Sequence, residues 1–139
     1  MTVDRQKIST GGPWEASVGY SRAVRVGDQV FVSGCTAACA DGTVSGVGDP
    51  YAQMVQALSV IEAALAEAGA QLSDVVRTRS FVTDISQWMD MARAHAEFFR
   101  QAMPAATVVE IRRLIHPDML VEVEADAVID RTANAHHRP

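Results

Sequence analysis

The sequence predicts an α+β fold of two layers: a mixed, mostly antiparallel sheet of five or six strands with two helices on one face. Three observations carry this prediction. Residues 121–129 alternate strictly, with Val121, Val123, Ala125, Ala127 and Ile129 on one side and Glu122, Glu124 and Asp126 on the other; this is the period of a half-buried strand. Two other stretches repeat apolar residues at helical spacing instead. The elements follow one another as β-β-(β)-α-β-α-β-β, an order that gives an α+β domain rather than a parallel α/β one.

Residues 1–16 contain Gly11, Gly12 and Pro13 and read as an irregular arm, with Trp14 as an apolar anchor. Residues 18–26 and 29–33 read as a hairpin around the Gly27-Asp28 turn. Gly34 breaks the second strand. Residues 35–48 are small, polar and rich in glycine, so they read as a loop with a short edge strand around 43–45. Asp49 and Pro50 are a helix start, with Asp as cap and Pro at the first helical position. Met54, Leu58, Ile61, Leu65 and Ala68 form its apolar stripe, and Gly69 ends it in the left-handed region.

Residues 74–83 are the next strand. Ser86, or alternatively Asp84, caps the second helix, whose stripe is Trp88, Ala92, His95 and Phe99 with Met91 and Phe98 beside it. Pro104 stops it. Residues 103–129 then read as two strands joined by a short Pro-Asp loop, a closing hairpin. The tail, 131–139, has no hydrophobic pattern and is expected to fray. A length of 139 residues fits one domain, residues 1–139, with a core that needs no staples. Both helices are used on one sheet face. The other face is left without cover, which predicts self-association.

The composition, 48% hydrophobic and 21% charged, is that of a folded chain rather than a disordered one. A net charge of −5 argues against a nucleic-acid partner, which selects a basic surface. Cys35 and Cys39 stand alone as a C-x₃-C pair, which is not a zinc framework. No apolar leader and no membrane-length apolar run is present, so the expected location is cytoplasmic, with reduced thiols and no membrane partner. No H-x₃-H, HExxH, P-loop or G-x-G-x-x-G spacing occurs, so no metal and no cofactor is expected.

The acidic row of residues 122, 124 and 126 is costly if buried without partners. Glu122 reads either as a solvated face residue or as a carboxylate that positions water in a cleft. Arg22, Arg25, Arg77, Arg79, Arg112 and Arg113 fall on predicted strands. They read as salt-bridge partners of that row, or in one case as a fork for a substrate carboxylate. Arg79 shares a strand face with Phe81, so a cation and an aromatic wall point the same way. Cys35 reads as a buried structural thiol before a nucleophile. His95, on an apolar stripe, reads as a satisfied core histidine.

Tyr20-Ser-Arg-Ala-Val, Val30-Phe-Val-Ser-Gly34, Asp74-Val-Val-Arg-Thr-Arg-Ser-Phe-Val-Thr-Asp84, Ala96-Glu-Phe-Phe99 and Val121-Glu-Val-Glu-Ala125 stand in the order found in the Rid family. These are the reactive intermediate deaminases, also known as endoribonuclease L-PSP or YjgF proteins. The chain resembles them from about residue 20 to residue 128. The resemblance implies a chorismate-mutase-like fold and a homotrimer with ligand clefts between subunits. It also implies cofactor-independent hydrolysis of 2-imino acids to 2-keto acids and ammonia. It matches the family's water-positioning glutamate to Glu122, its cleft tyrosine to Tyr20, its backbone glycine to Gly34 and its aromatic wall to Phe81.

The family's carboxylate clamp does not carry over. Pro-Ala-Arg-Ser/Thr is here Pro104-Ala105-Ala106-Thr107, so Ala106 stands in the place of the arginine. Losing such a bidentate contact is expected to cost at least about tenfold to a hundredfold in turnover of an anionic imino acid. Arg22 and Arg79 are the candidate replacements. The expected function is thus hydrolysis of a small imine or enamine other than a plain 2-imino acid. The alternatives are a non-catalytic trimer that binds a small metabolite, and, last, an endoribonuclease.

Overall fold

The β-branched and alternating segments pair into one sheet, and the capped amphipathic segments coil against it. In the computed structural model, which describes residues 4–12 and 14–132, the elements run β1 (Arg5–Ile8), α1 (Glu15–Val18), β2 (Ala23–Val26), β3 (Gln29–Cys35), α2 (Pro50–Glu67), β4 (Val75–Val82), α3 (Trp88–Phe99), β5 (Ala105–Glu110) and β6 (Val121–Val128). The sheet order is β1-β2-β3-β6-β4-β5. Neighbours are antiparallel except β4 and β5, which run parallel. A parallel pair needs a crossover, and α3 supplies it.

The core lies between the helices and one sheet face. Val30, Val32, Val82, Val121, Val123, Ala125 and Ala127 pack against Met54, Leu58, Ile61 and Leu65 of α2 and Met91, Ala94 and Phe99 of α3. Fully burying a Leu, Ile, Met or Phe side chain contributes about 1.5–3 kcal/mol. The helix signals act as expected. Asp49 accepts a hydrogen bond from the Ala52 amide, with Pro50 in the first turn. Gly69 takes φ +83° while Ala70 N donates back to Leu65 O at 2.8 Å.

Several local expectations are corrected, among them the break at Gly34, since β3 runs through it to Cys35. The arm is not irregular throughout: residues 5–8 form an edge strand on β2. Only Ile8 of that strand is buried, so it carries no hydrophobic pattern to read. The strand expected from residue 18 begins at Ala23, because residues 15–18 make a helical turn closed by Gly19 at φ +89°.

Residues 103–129 are not a hairpin. β5 pairs with β4, and β6 inserts between β3 and β4. The strand with a continuous apolar face takes the covered centre, and β5, exposed along its whole length, takes the edge. The stripe of α3 is Met91, Ala94 and Phe99 with His95 and Phe98 half-buried, while Trp88 is 47% exposed at its start. Neither expected residue caps α3 itself, whose N-cap is Gln87 without a side-chain hydrogen bond; Asp84 caps the short 3₁₀ turn of residues 85–87 before it, its Oδ1 accepting from Ser86 N at 3.0 Å.

The expected edge strand around 43–45 is reduced to one bridge between Ala38 and Val44. Of the expected tail, residues 133–139 lie outside the described residues; Arg131 Nε donates to Asp28 Oδ1 at 2.7 Å. Among the described residues no helix is long and apolar enough to cross a membrane.

Register places Phe31 opposite Asp126, Arg79 opposite Glu124 and Phe81 opposite Glu122. Opposed residues share a face, so this group lies on the side away from the helices. Phe31 and Val128 are 45% and 44% exposed there.

Candidate functional site

The site begins with an irregularity in the sheet. Val32 pairs with Ala125, but Cys35 pairs with Val123, so β3 holds one more residue than β6 across this interval. Such a bulge bends the strand and redirects its groups. It lays the Gly34 backbone directly against Glu122. A Cβ on Gly34 would lie 2.8 Å from Glu122 Cδ, closer than carbon atoms approach, so only glycine leaves the carboxylate in place. Gly34→Ala is therefore expected to swing the Glu122 carboxylate aside at little cost in stability, since a flexible side chain can yield. Ligand-binding titrations alongside thermal melts check this; unchanged affinity and unchanged Tm together would show that Glu122 has no fixed place.

Arg22 reaches the same point from the segment before β2. Its Nη1 donates to Gly34 O at 2.6 Å and to Cys35 Sγ at 3.4 Å, and Nη2 donates to Tyr20 Oη at 3.4 Å. The guanidinium carbon is 5.6 Å from the Tyr20 ring centre, within cation–π range. Its Nε is buried and has no hydrogen-bond partner. Among the described residues Arg22 makes no ion pair with a carboxylate.

Partial burial pushes the Glu122 carboxyl above its ordinary range; the Arg22 charge opposes this and the Glu124 charge adds to it. Burial also pushes the Cys35 thiol up, against the pull of Arg22 and the hydrogen bond from it. A 2% exposed thiol held in its protonated form is a packing group here rather than a nucleophile.

These residues line a cleft of about 430 Å³. One wall is the segment around Thr10, Gly11, Gly12 and Trp14, and the opposite wall is the Gln56–Ala63 face of α2, with Ser59 and Val60. Glu15 pins the first wall. Its Oε2 accepts from Thr10 Oγ1 at 2.7 Å, Thr10 N at 3.3 Å and Gly12 N at 3.1 Å. Burial alone would raise its pKa, but the hydrogen bonds from Thr10, Ser9 and Gly12 outweigh it and the net shift is downward. A second, wider hollow of about 1040 Å³ opens on the other side of Glu122 and shares Ile115 and Met119 with the first.

The structure thus brings Tyr20, Arg22, Gly34 and Glu122 into one cleft. Phe81 lines the second hollow, again with Glu122. Arg79 lines neither. Its Nη1 is held by Glu124 Oε1 at 3.2 Å and Asp126 Oδ2 at 3.4 Å, which makes it the ion-pair partner of the acidic row. Ala106 and Thr107 sit on β5 opposite Thr78 and Arg79, away from both hollows of this chain. His95 is the core histidine expected: Nε2 lies 2.8 Å from Thr78 Oγ1 and the ring 4.6 Å from Phe99. Among the described residues no three His, Cys, Asp or Glu side chains converge as a metal site.

Sequence reasoning missed the walls at Thr10, Gly11, Gly12 and Trp14 and on α2. It also missed Gln53, whose side chain is fully buried and bonds to Gly46 O, Asp118 O and Leu120 N. Only its place beside Met54 on the inner turn of α2 could have signalled it.

A six-stranded sheet with two long helices on one face, and a cleft where a β3 bulge meets a β6 glutamate, defines an α+β protein of the chorismate-mutase-like, YjgF-type architecture. The family model for endoribonuclease L-PSP matches residues 12–129, and the chain belongs to that family, the Rid proteins. A crystal structure of a YjgF-family protein from Mycobacterium tuberculosis is 48% identical, with a TM-score of 0.83 over 91% of this chain and 100% of that one. An uncharacterised protein of Streptomyces coelicolor is 37% identical over 88% of this chain and 90% of its own length. The 3-aminoacrylate deaminase RutC of Acinetobacter baylyi is 32% identical over 78% of this chain and 85% of its own.

Proposed function

We propose that this protein hydrolyses a small, reactive imine or enamine acid, with Glu122 handling water and Arg22 holding the substrate carboxylate. The observation that carries the reading is the pairing of a half-buried carboxylate of raised proton affinity with a nearby guanidinium that has no carboxylate of its own. A general base works best when its pKa lies towards the operating pH. A guanidinium in a cleft with no ion pair among the described residues suits an anionic ligand. The deaminase activity for which the Acinetobacter relative is named belongs to the same reaction class.

In this reading Glu122 takes a proton from water as the oxygen attacks the imine carbon. The C=N bond becomes C–N, and the nitrogen takes up protons. The C–N bond then breaks, leaving a keto acid and ammonia: imine plus water gives ketone plus ammonia, with no change of oxidation state. An enamine enters the same course after protonation at carbon.

The reading includes a homotrimer. Among the described residues no helix covers the face bearing Phe31, Val128 and the acidic row, and β5 is an exposed edge that carries Val108 and Val109. Contact between copies covers both, and sets Ala106 and Thr107 of one copy near the cleft of the next.

The test generates 2-iminobutanoate and 3-aminoacrylate in situ and follows their disappearance with and without protein. Acceleration of at least one is expected, and Ala106→Arg is expected to raise the 2-iminobutanoate rate at least tenfold. No acceleration of either compound by either form overturns the reading.

A further inference from the structure

The wider hollow on the far side of Glu122 has an unusual wall. Arg112 and Arg113 are consecutive, both exposed, and both line it, together with half-buried His116. Neither arginine has a hydrogen bond or ion pair to any described residue, although the chain carries 17 acidic side chains. Among the described residues the only carboxylate in the lining is Glu122 itself.

The segment that carries the two arginines is held at both ends. Ile111 N donates to Val82 O at 2.8 Å, and Gln53 bonds both Asp118 O and Leu120 N. His116 Nδ1 and O each accept an amide within the turn, from Asp118 and Met119. Two forks on a pinned loop lose less freedom on binding an anion than two on a free one. Glu122 thus lines both hollows, the first with Arg22 and the second with Arg112 and Arg113.

We propose that Arg112 and Arg113 form a second anion subsite, so that the substrate is a small imine or enamine carrying two anionic groups. This rests on the hydrolytic reading above. Arg22 takes the carboxylate next to the reacting carbon, and the Arg112–Arg113 wall takes the distal group, a carboxylate or a phosphate. Guanidinium forks donate to either, and the contact to the second group is made only by a substrate with two anionic groups. Arg112 and Arg113 are then specificity-determining residues, and Ala106 marks a clamp moved rather than lost.

The test has a binding arm and a turnover arm. Pyruvate, oxaloacetate and 3-phosphohydroxypyruvate are titrated into the protein at fixed ionic strength. The imines formed in situ by oxidising alanine, aspartate and phosphoserine are then followed. At least one dianion is expected to bind and turn over tenfold or more better than the monoanion, and which one identifies the distal group. The double variant Arg112→Ala/Arg113→Ala should lower that preference at least tenfold. Arg112→Lys/Arg113→Lys should restore part of it, and the remote Arg100→Ala should leave it unchanged.

A monoanion turned over without any dianion preference overturns the subsite and leaves the hydrolytic reading standing, as does a preference that survives the double alanine variant. A binding preference lost in that variant, with no turnover of any imine, overturns hydrolysis and upholds the subsite.

Discussion

Glu122→Gln is expected to lower kcat/KM for the imine substrate by about 100-fold or more, the range for loss of a positioned acid–base group. The same change is expected to leave the protein as stable as before at neutral pH, or more so. The reason lies in the direction of its titration. Burial raises the folded-state pKa of Glu122 above its ordinary value, so the folded chain keeps this proton to a higher pH than the unfolded one. Between the two values unfolding releases a proton, and stability falls as pH rises through that window.

Above the window the folded state carries a partly desolvated charge that glutamine does not. Rate–pH profiles and thermal melts at pH 5 and pH 8 check both halves. The rate of the wild type should rise with pH along a limb displaced above the usual carboxylate range, and the glutamine variant should lack that limb. A variant with full activity would remove Glu122 from the chemistry. A variant that loses activity and melts well below wild type would make it a structural group.

Gln53→Ala is expected to cost about 3–5 kcal/mol, the combined effect of a cavity and of buried groups left without partners. In a chain of this size that lowers Tm by on the order of 10 °C. Gln53 is 0% exposed and uses both ends of its amide: Nε2 donates to Asp118 O at 2.8 Å and Gly46 O at 3.2 Å, and Oε1 accepts from Leu120 N at 2.9 Å. It joins α2 to the turn before it and to the segment that leads into β6. Gln53→Met fills the space without the hydrogen bonds, so the difference between the two variants separates packing from bonding. If neither melts more than a few degrees below wild type, the 111–120 segment is held by something other than this amide. Because that segment also carries Arg112 and Arg113, the Met variant should weaken dianion binding more than monoanion binding.

The parts of the fold that were legible are those written in local chemistry. The alternation of 121–129 foretold a strand with Val121, Val123, Ala125 and Ala127 inside, and each is 0–1% exposed. Asp49-Pro50 and Gly69 marked the ends of α2 within a residue or two. Tyr20, Gly34 and Glu122 were singled out by the resemblance to the Rid family and Arg22 as one of two candidate stand-ins for its missing clamp; their convergence needed the bulge at residues 33–34, which no periodicity announces. The residues that could not be read are those whose role depends on what crosses them. Glu15 sits in a polar arm with nothing apolar to flag it, and Gln53 is one polar residue among many on α2.

By itself the sequence determined the elements, the face each strand buries, the family, and the absence of the usual clamp at residue 106, because these follow from backbone period, caps and residue type. Tertiary structure alone decided that β6 is central and unpaired with β5. The same is true of the division between the two candidate arginines: Arg79 is spent on Glu124 and Asp126, while Arg22 is left facing Glu122. Strand order and ion pairing are contests among distant groups, settled by which faces must be covered and which charges meet, and neighbours along the chain do not record the result.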